Sequence, residues 1–392
     1  MPEDLTTQQS ATTPQPSVSA PAPTPVTQPL PNEPKKSHGK GVFVALLVLL
    51  VVIILAGLGI FYLLGSTGSQ KTASAPAQNP SIRIGLSLDS LAIARWAKDR
   101  DDMTEKAESL GATMTTLVAN GDDATQISQI QNFITQKVNV IIIVAHNAQA
   151  LSAVIDQAHK AGIKVIAYDR MILNSSPDLY VSFDSTKVGR DEAQYVMNAV
   201  PKTVAVANVA FVGGSPTDNN ATLVRNGAMS VLDPLVKAGQ AKIVFDQFTT
   251  DWDANLAYKN LNTFLNTGVK IDAAVVSNDG MATGVVQTLK EHGLAGKVPV
   301  SGQDADLTAI KRLVDGTQTV SLYKPIALEA DQAIISAVDM ANGKVPKTTG
   351  VMNNGKIDVP SYLIDPIPVT KDTIKSTVIK DGFYTNDEVY GQ

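Results

Sequence analysis

The chain has 392 residues, 44% of them hydrophobic, a formal net charge of −5 and no cysteine. That length and apolar content allow one or two full cores. The acidic balance excludes the basic footprint that nucleic-acid binding requires. The missing thiols exclude disulfides, thiolate metal sites, thiol catalysis and lipid attachment through cysteine.

Residues 1–40 hold nine of the 21 prolines, spaced by Gln, Thr and Ser. Such a composition cannot bury enough apolar surface to offset its ordering entropy, so it reads as a disordered tail. Residues 41–64 carry no charge, and at roughly 1.5 Å per residue a helix of that length spans a bilayer core of about 30 Å. Lys35, Lys36 and Lys40 precede the run and 65–70 is uncharged, which predicts a transmembrane anchor with a cytoplasmic N-terminus and everything after it outside. A cleaved signal peptide fits worse, because its apolar core would be too long and the A-x-A stretches at 73–75 and 75–77 lie far downstream. Residues 65–80 read as a flexible linker.

From residue 81 onward strands alternate with helices. Strands are predicted at 82–88, 114–119, 140–144, 164–168, 206–212, 242–248, 273–276, 298–301 and 319–322. Helical periodicity falls at 96–110, 124–135, 148–161, 186–200, 221–237, 254–265, 282–292, 307–314 and 326–341. This rhythm predicts two α/β lobes, each a doubly wound parallel sheet with helices on both faces. The first lobe is expected to take 81–185 and about 326–358, the second 186–325 and about 359–392, with the chain crossing a multi-strand hinge.

The stretch at 162–170, G-I-K-V-I-A-Y-D-R, shows where function sits. An apolar strand buried on both faces ends in Asp169 and Arg170, and ligands of open α/β sheets bind beyond the carboxyl ends of strands. An acid beside an arginine offers acceptors and a fork of donors, which suits a neutral, hydroxyl-rich ligand. Alone it would read as a surface ion pair, but the arrangement recurs. Arg95, Trp96 and Lys98 follow the first strand. Asp218 and Asn220 follow a Gly-Gly-Ser-Pro turn, and Trp252, Asn278, Asp304 and Lys324 follow later strands. Both tryptophans of the chain fall in these loops, one per half, as two sides of a clamp on a sugar ring would.

Enzyme chemistry finds no support in the residues. There is no G-x-S-x-G elbow, no zinc motif and no calcium loop, so no metal or cofactor is expected. Residues 350–356 fit G-x-x-x-x-G-K, but Ile357 stands where a phosphate loop needs Ser or Thr. The four histidines are scattered. Asp304 and Asp306 could form a carboxylate pair, yet Asp306 reads as the start of the next helix.

The chain resembles the ribose/galactose/xylose-type sugar-binding family of bacterial ABC importers. The matching stretches include R-W-A-K-D-R (95–100), A-Y-D-R-M-I (167–172), G-G-S-P-T-D-N-N-A (213–221), S-N-D (277–279), S-G-Q-D-A-D (301–306), Y-K-P-I (323–326) and V-I-K-D-G-F (378–383). The resemblance covers about 82–383 and implies the type 1 periplasmic binding fold, with no enzymatic activity. It further implies a monosaccharide ligand, D-xylose or a similar pentose, and ABC permease subunits as partners. By the same resemblance the sugar contacts fall on Arg95, Trp96, Lys98, Asp169, Arg170, Asp218, Asn220, Trp252, Asn278, Asp304 and Lys324. His146 stands where the family carries an aromatic before Asn, and Ala94 where an acid commonly precedes R-W. A transcription regulator of the same fold would need a basic helix-turn-helix ahead of it, which 1–64 does not supply. A membrane-bound sugar sensor is the alternative, and it would need a signalling partner because only the short tail lies inside.

Overall fold

The computed structural model describes residues 81–391. The tail, anchor and linker expected at 1–40, 41–64 and 65–80 lie outside the described residues. Among the described residues no helix is long and apolar enough to cross a membrane.

Five strands of the first lobe follow the predicted rhythm: β1 (Arg83–Leu88), β2 (Thr113–Val118), β3 (Val140–Ile143), β4 (Lys164–Tyr168) and β5 (Leu179–Phe183). They pair in parallel, in the order β5-β4-β3-β1-β2. Helices α1 (Arg95–Ser109), α2 (Asp123–Thr135) and α3 (Ser152–Lys160) connect them. Parallel central strands have both faces covered, and accordingly every residue of β3 is buried.

The second lobe holds β6 (Ala207–Gly213), β7 (Ala241–Phe248) and β8 (Ala273–Val276), parallel in the order β7-β6-β8. Around them lie α4 (Ser185–Ala199), α5 (Asn219–Lys237), α6 (Ala254–Leu265), α7 (Asp279–Glu291) and α8 (Leu307–Asp315). Helices α4 and α5 touch backbone to backbone: a Cβ on Gly189 would lie 1.8 Å from Val224 O. The strand predicted at 298–301 is reduced to one bridge, Ala274 to Val300. Pro299 has no N–H to give a ladder, and Val300 N donates instead to the Thr319 hydroxyl at 3.2 Å.

The chain then returns. After β9 (Ser321–Tyr323), helix α9 (Ile326–Ala341) packs its Ala330, Ala333, Ile334 and Ala337 into the first lobe's core. A hairpin of β10 (Gly350–Asn353) and β11 (Asp358–Ile364) follows, and β11 joins the first sheet parallel to β5. Only then does β12 (Ile367–Val369) pair antiparallel with β9. The last crossing between lobes therefore falls after β11, not near 358 as the sequence suggested. Strands β10 and β11 escape a pattern search because the first is largely exposed and the second carries Pro360 at the sheet's margin. The G-x-x-x-x-G-K match spans β10 and its turn, which the Asn354 side chain ties to the carbonyls of Ile172 and Ser175. It is a structural corner rather than a phosphate loop. A short helix α10 (Asn386–Tyr390) closes the described chain.

Candidate functional site

The C-terminal ends of the two sets of strands face each other, and ten of the eleven predicted residues meet there. Arg95, Trp96, Asp169 and Arg170 come from the first lobe. Asp218, Asn220, Trp252, Asn278, Asp304 and Lys324 come from the second lobe or its hinge, and Ile93 and Gln303 complete the lining. Little free space lies between them. The walls thus stand close, and a sugar ring must part them to enter.

Asp169 is the pivot. It follows β4 with φ of 56°, a left-handed conformation that an aspartate tolerates at a cost and that marks functional sites. Its carbonyl is held by three donors: Ser182 Oγ at 2.7 Å, Tyr180 OH at 2.9 Å and Asn220 Nδ2 at 2.9 Å. Its carboxylate accepts from Arg95 Nη1 at 2.7 Å and from Asn220 Nδ2 at 3.0 Å. Burial would raise the Asp169 pKa, but Arg95, Lys324 and Arg170 hold it below the usual carboxylate value.

Arg95 opens α1 and is buried. Besides Asp169 it pairs with Asp99 at 2.8 Å and Glu329 at 2.5 Å. Burial pulls its pKa down, yet Asp169, Asp99 and Glu329 together raise it well above the ordinary value, so it stays charged. Burial pushes both Asp99 and Glu329 up despite Arg95. Asp99 lies four residues after Arg95 on the same helical face, and that spacing was a signal available to the reader. Glu329 lies on α9, 234 residues away, and nothing local in the sequence announces it.

Arg170 is the second fixed cation. Its Nη1 donates to Asp89 Oδ2 at 2.8 Å and to Ala145 O at 3.1 Å. Its Nε lies 2.8 Å from Asp218 Oδ2 across the cleft. Asp89 also meets His146 Nδ1 at 2.8 Å, which gives the histidine in the unusual position a polar partner. Asp218 caps α5 by accepting from Asn220 N at 2.8 Å, and Trp252 Nε1 lies 3.2 Å from its other oxygen.

The tryptophans reach the cleft from opposite lobes, in different settings. Trp96 is buried beneath cations: the Arg95 and Arg170 guanidinium carbons lie 4.6 Å and 5.4 Å from its ring centroids. Trp252 has φ of 56° and lies flat on Gly214, where a Cβ would stand 2.2 Å from the ring. On the far side Asp304 has φ of 91°, and Lys324 Nζ lies 3.3 Å from its Oδ1. Among the described residues two buried polar atoms of the lining have no hydrogen-bond partner, Trp96 Nε1 and Gln303 Oε1, while Asp304 Oδ1 has the Lys324 ammonium at 3.3 Å. Buried polar groups are nearly always paired, so these are places where a ligand's hydroxyls fit.

Lys98 is the exception. Its side chain is 45% exposed and pairs with Asp102 at 3.2 Å. It borders a groove outside the cleft, with Tyr323, Pro325 and Phe383. It is not among the residues that line the cleft, although it follows Arg95 and Trp96 on the same helix. Sequence reasoning passed over Asp89, Asp99 and Glu329, and it left Gln303, which stands beside Asp304 at the same strand end, out of the sugar contacts. Of these four, Gln303 alone lines the cleft.

The comparisons with known proteins agree with this geometry. The family model for the periplasmic binding protein domain matches residues 84–345. The chain is 47% identical over 329 residues to a D-xylose-binding periplasmic protein of Haemophilus influenzae, covering 84% of this chain and 98% of that one. It is 48% identical to a D-xylose-binding periplasmic protein of Escherichia coli, covering 80% of this chain and 94% of that one. Among solved structures, an ABC transporter solute binding protein from Clostridium phytofermentans with bound β-D-glucose superposes with a TM-score of 0.73 at 29% identity, covering 78% of this chain and 99% of that one. A two-lobed α/β fold with its polar cleft between the strand ends, together with these matches, makes the chain a member of the periplasmic binding protein family, a binding protein and not an enzyme.

Proposed function

We propose that the protein captures a monosaccharide, D-xylose foremost, between its two lobes and delivers it to the permease subunits of an ABC importer. The observation that carries this is the cleft itself: carboxylates, amides and arginines from both lobes converge on one buried space beside two tryptophans. Planar groups of this kind make paired hydrogen bonds to adjacent hydroxyls, and the charges among them are already matched, which suits a neutral ligand. The identity of 47% and 48% to proteins named as D-xylose-binding supports the choice of sugar. Xylopyranose lacks only the exocyclic CH₂OH of glucopyranose, so rejecting glucose requires a wall at the ring edge where that group would sit. The uncharged run at 41–64 behind Lys35, Lys36 and Lys40 supports a membrane-anchored protein with its binding lobes outside.

Calorimetric titration of the full chain against D-xylose, D-glucose, D-ribose and L-arabinose tests the ligand. D-xylose is expected to bind tightest, and equal affinity for glucose or ribose would remove the xylose assignment while leaving sugar binding in place. Protease added to intact cells lacking an outer membrane is expected to release a fragment close to residues 70–392. Full protection of that fragment would refute the external placement.

A further inference from the structure

Gln303 is a buried side chain in the cleft whose bonding is half complete. It is 3% exposed and immediately precedes Asp304. Its backbone is fixed on both sides: its carbonyl accepts from Asp279 N at 3.0 Å, and it forms a bridge with Leu322. Its amide nitrogen donates to the carbonyl of Ser277 at 2.5 Å. A carbonyl can only accept, so the amide cannot be turned over without setting two oxygens against each other. The oxygen Oε1 is thereby fixed as the end facing away from Ser277, and it has no partner among the described residues.

We infer that Gln303 is a specificity-determining residue of the cleft, whose Oε1 accepts a hydrogen bond from one hydroxyl of the bound sugar. The inference rests on the sugar-binding reading above and adds a rule to it: at one ring position the ligand must donate. An amide oxygen with no partner in a buried site is costly, so a ligand bearing hydrogen at that position leaves the penalty in place. A hydroxyl relieves it and keeps its own lone pairs for a cation of the lining, such as Lys324. Fluorine has the size for the position but no proton to give. A site built to pair with a hydroxyl rejects analogues lacking it more sharply than an apolar pocket rejects an isostere that adds one.

The test is calorimetric titration of the full chain with D-xylose and its monodeoxy and deoxyfluoro analogues at each ring position. With the wild-type protein, one position is expected to lose at least about 10-fold in affinity on deoxygenation and nearly as much on fluorination. In Gln303→Met, which keeps the length but has no acceptor oxygen, the loss at that position should shrink to about twofold while losses elsewhere persist. Gln303→Glu keeps an acceptor oxygen and should keep the penalty at that position whatever its overall affinity. The pair of variants preserves the test if one of them folds poorly. Identical analogue profiles in wild type and Gln303→Met would overturn the inference, because Oε1 would then be satisfied inside the protein, for instance by a water shared with the Ser277 hydroxyl. If no sugar binds the wild-type chain at all, the sugar-binding reading fails and this inference with it.

Discussion

Asp306 offers a quantitative test of the acidic cluster behind the cleft. It precedes α8, and its backbone N–H donates to Asp279 Oδ2 at 3.0 Å. Burial and the neighbouring charge of Asp304 raise its pKa from 3.8 to about 7, against the opposing pull of Arg312 and Arg95. A carboxyl with a folded pKa above its unfolded one contributes stability that is full below the unfolded value. That contribution is lost as pH rises to the folded value, here between about 4 and 7. Three pKa units at 1.36 kcal/mol each correspond to about 4 kcal/mol, and relaxation of the neighbours leaves about 2 kcal/mol as the expected net effect. Asp306→Asn removes the ionisation with little change of shape, and no cap is lost because the Asp306 side chain makes no capping bond to α8. Scanning calorimetry of both proteins across that range should show nearly equal Tm values near pH 4.5. Near pH 8 the variant should melt about 4 °C higher. A difference that does not change with pH, or a variant that melts lower at pH 8, would refute the reasoning.

Other outcomes follow from the cleft. Asp304→Ala and Asn220→Ala should each weaken D-xylose binding by about 10–100-fold in titration calorimetry, with circular dichroism unchanged. Lys98→Ala should alter the affinity by less than about twofold, since its charge is solvated and a surface pair contributes little; a larger loss would place Lys98 in the site after all. Gly214→Ala must displace the Trp252 ring, which stands 2.2 Å from the new Cβ, and should cost affinity in the same titration while far-UV spectra stay native. Small-angle scattering should show a smaller radius of gyration with saturating D-xylose, and an unchanged radius would contradict closure of the lobes.

How much of this was legible in the sequence follows from what holds each part together. Strands β4 and β8 and helix α9 were readable to the residue, because buried parallel strands and amphipathic helices carry their packing in their own periodicity. Strands β10 to β12 were not, because β10 is largely exposed, β11 carries Pro360, and β12 is three residues long with its partner β9 more than forty residues back. The site divides in the same way. Asp169, Asp218, Asn278 and Asp304 stand at strand ends, where the architecture announces a ligand. Glu329 lies on α9, whose return to the first lobe was expected, but no local pattern marks it as the partner of Arg95, 234 residues away. Lys98 shows the converse: proximity to Arg95 in sequence suggested a place in the cleft, whereas its exposed side chain borders the neighbouring groove.

The charges of the cleft also bear on what can enter it. Arg95 is surrounded by Asp99, Asp169 and Glu329, Arg170 by Asp89 and Asp218, and Lys324 stands on Asp304. A buried cation without a counter-charge would be strongly unfavourable, so such pairs have to exist for the fold's sake. Two consequences follow. An anionic ligand such as an aldonic acid would have to displace a carboxylate already in place, whereas a neutral polyol can insert its hydroxyls between charges that remain matched. Moreover, Arg170 with Asp218 and Asn220 with Asp169 join residues of opposite lobes, so moving the lobes apart breaks them. On the proposed sugar-binding reading, the groups that would select the ligand are the same groups that join the lobes, so recognition and closure would be coupled.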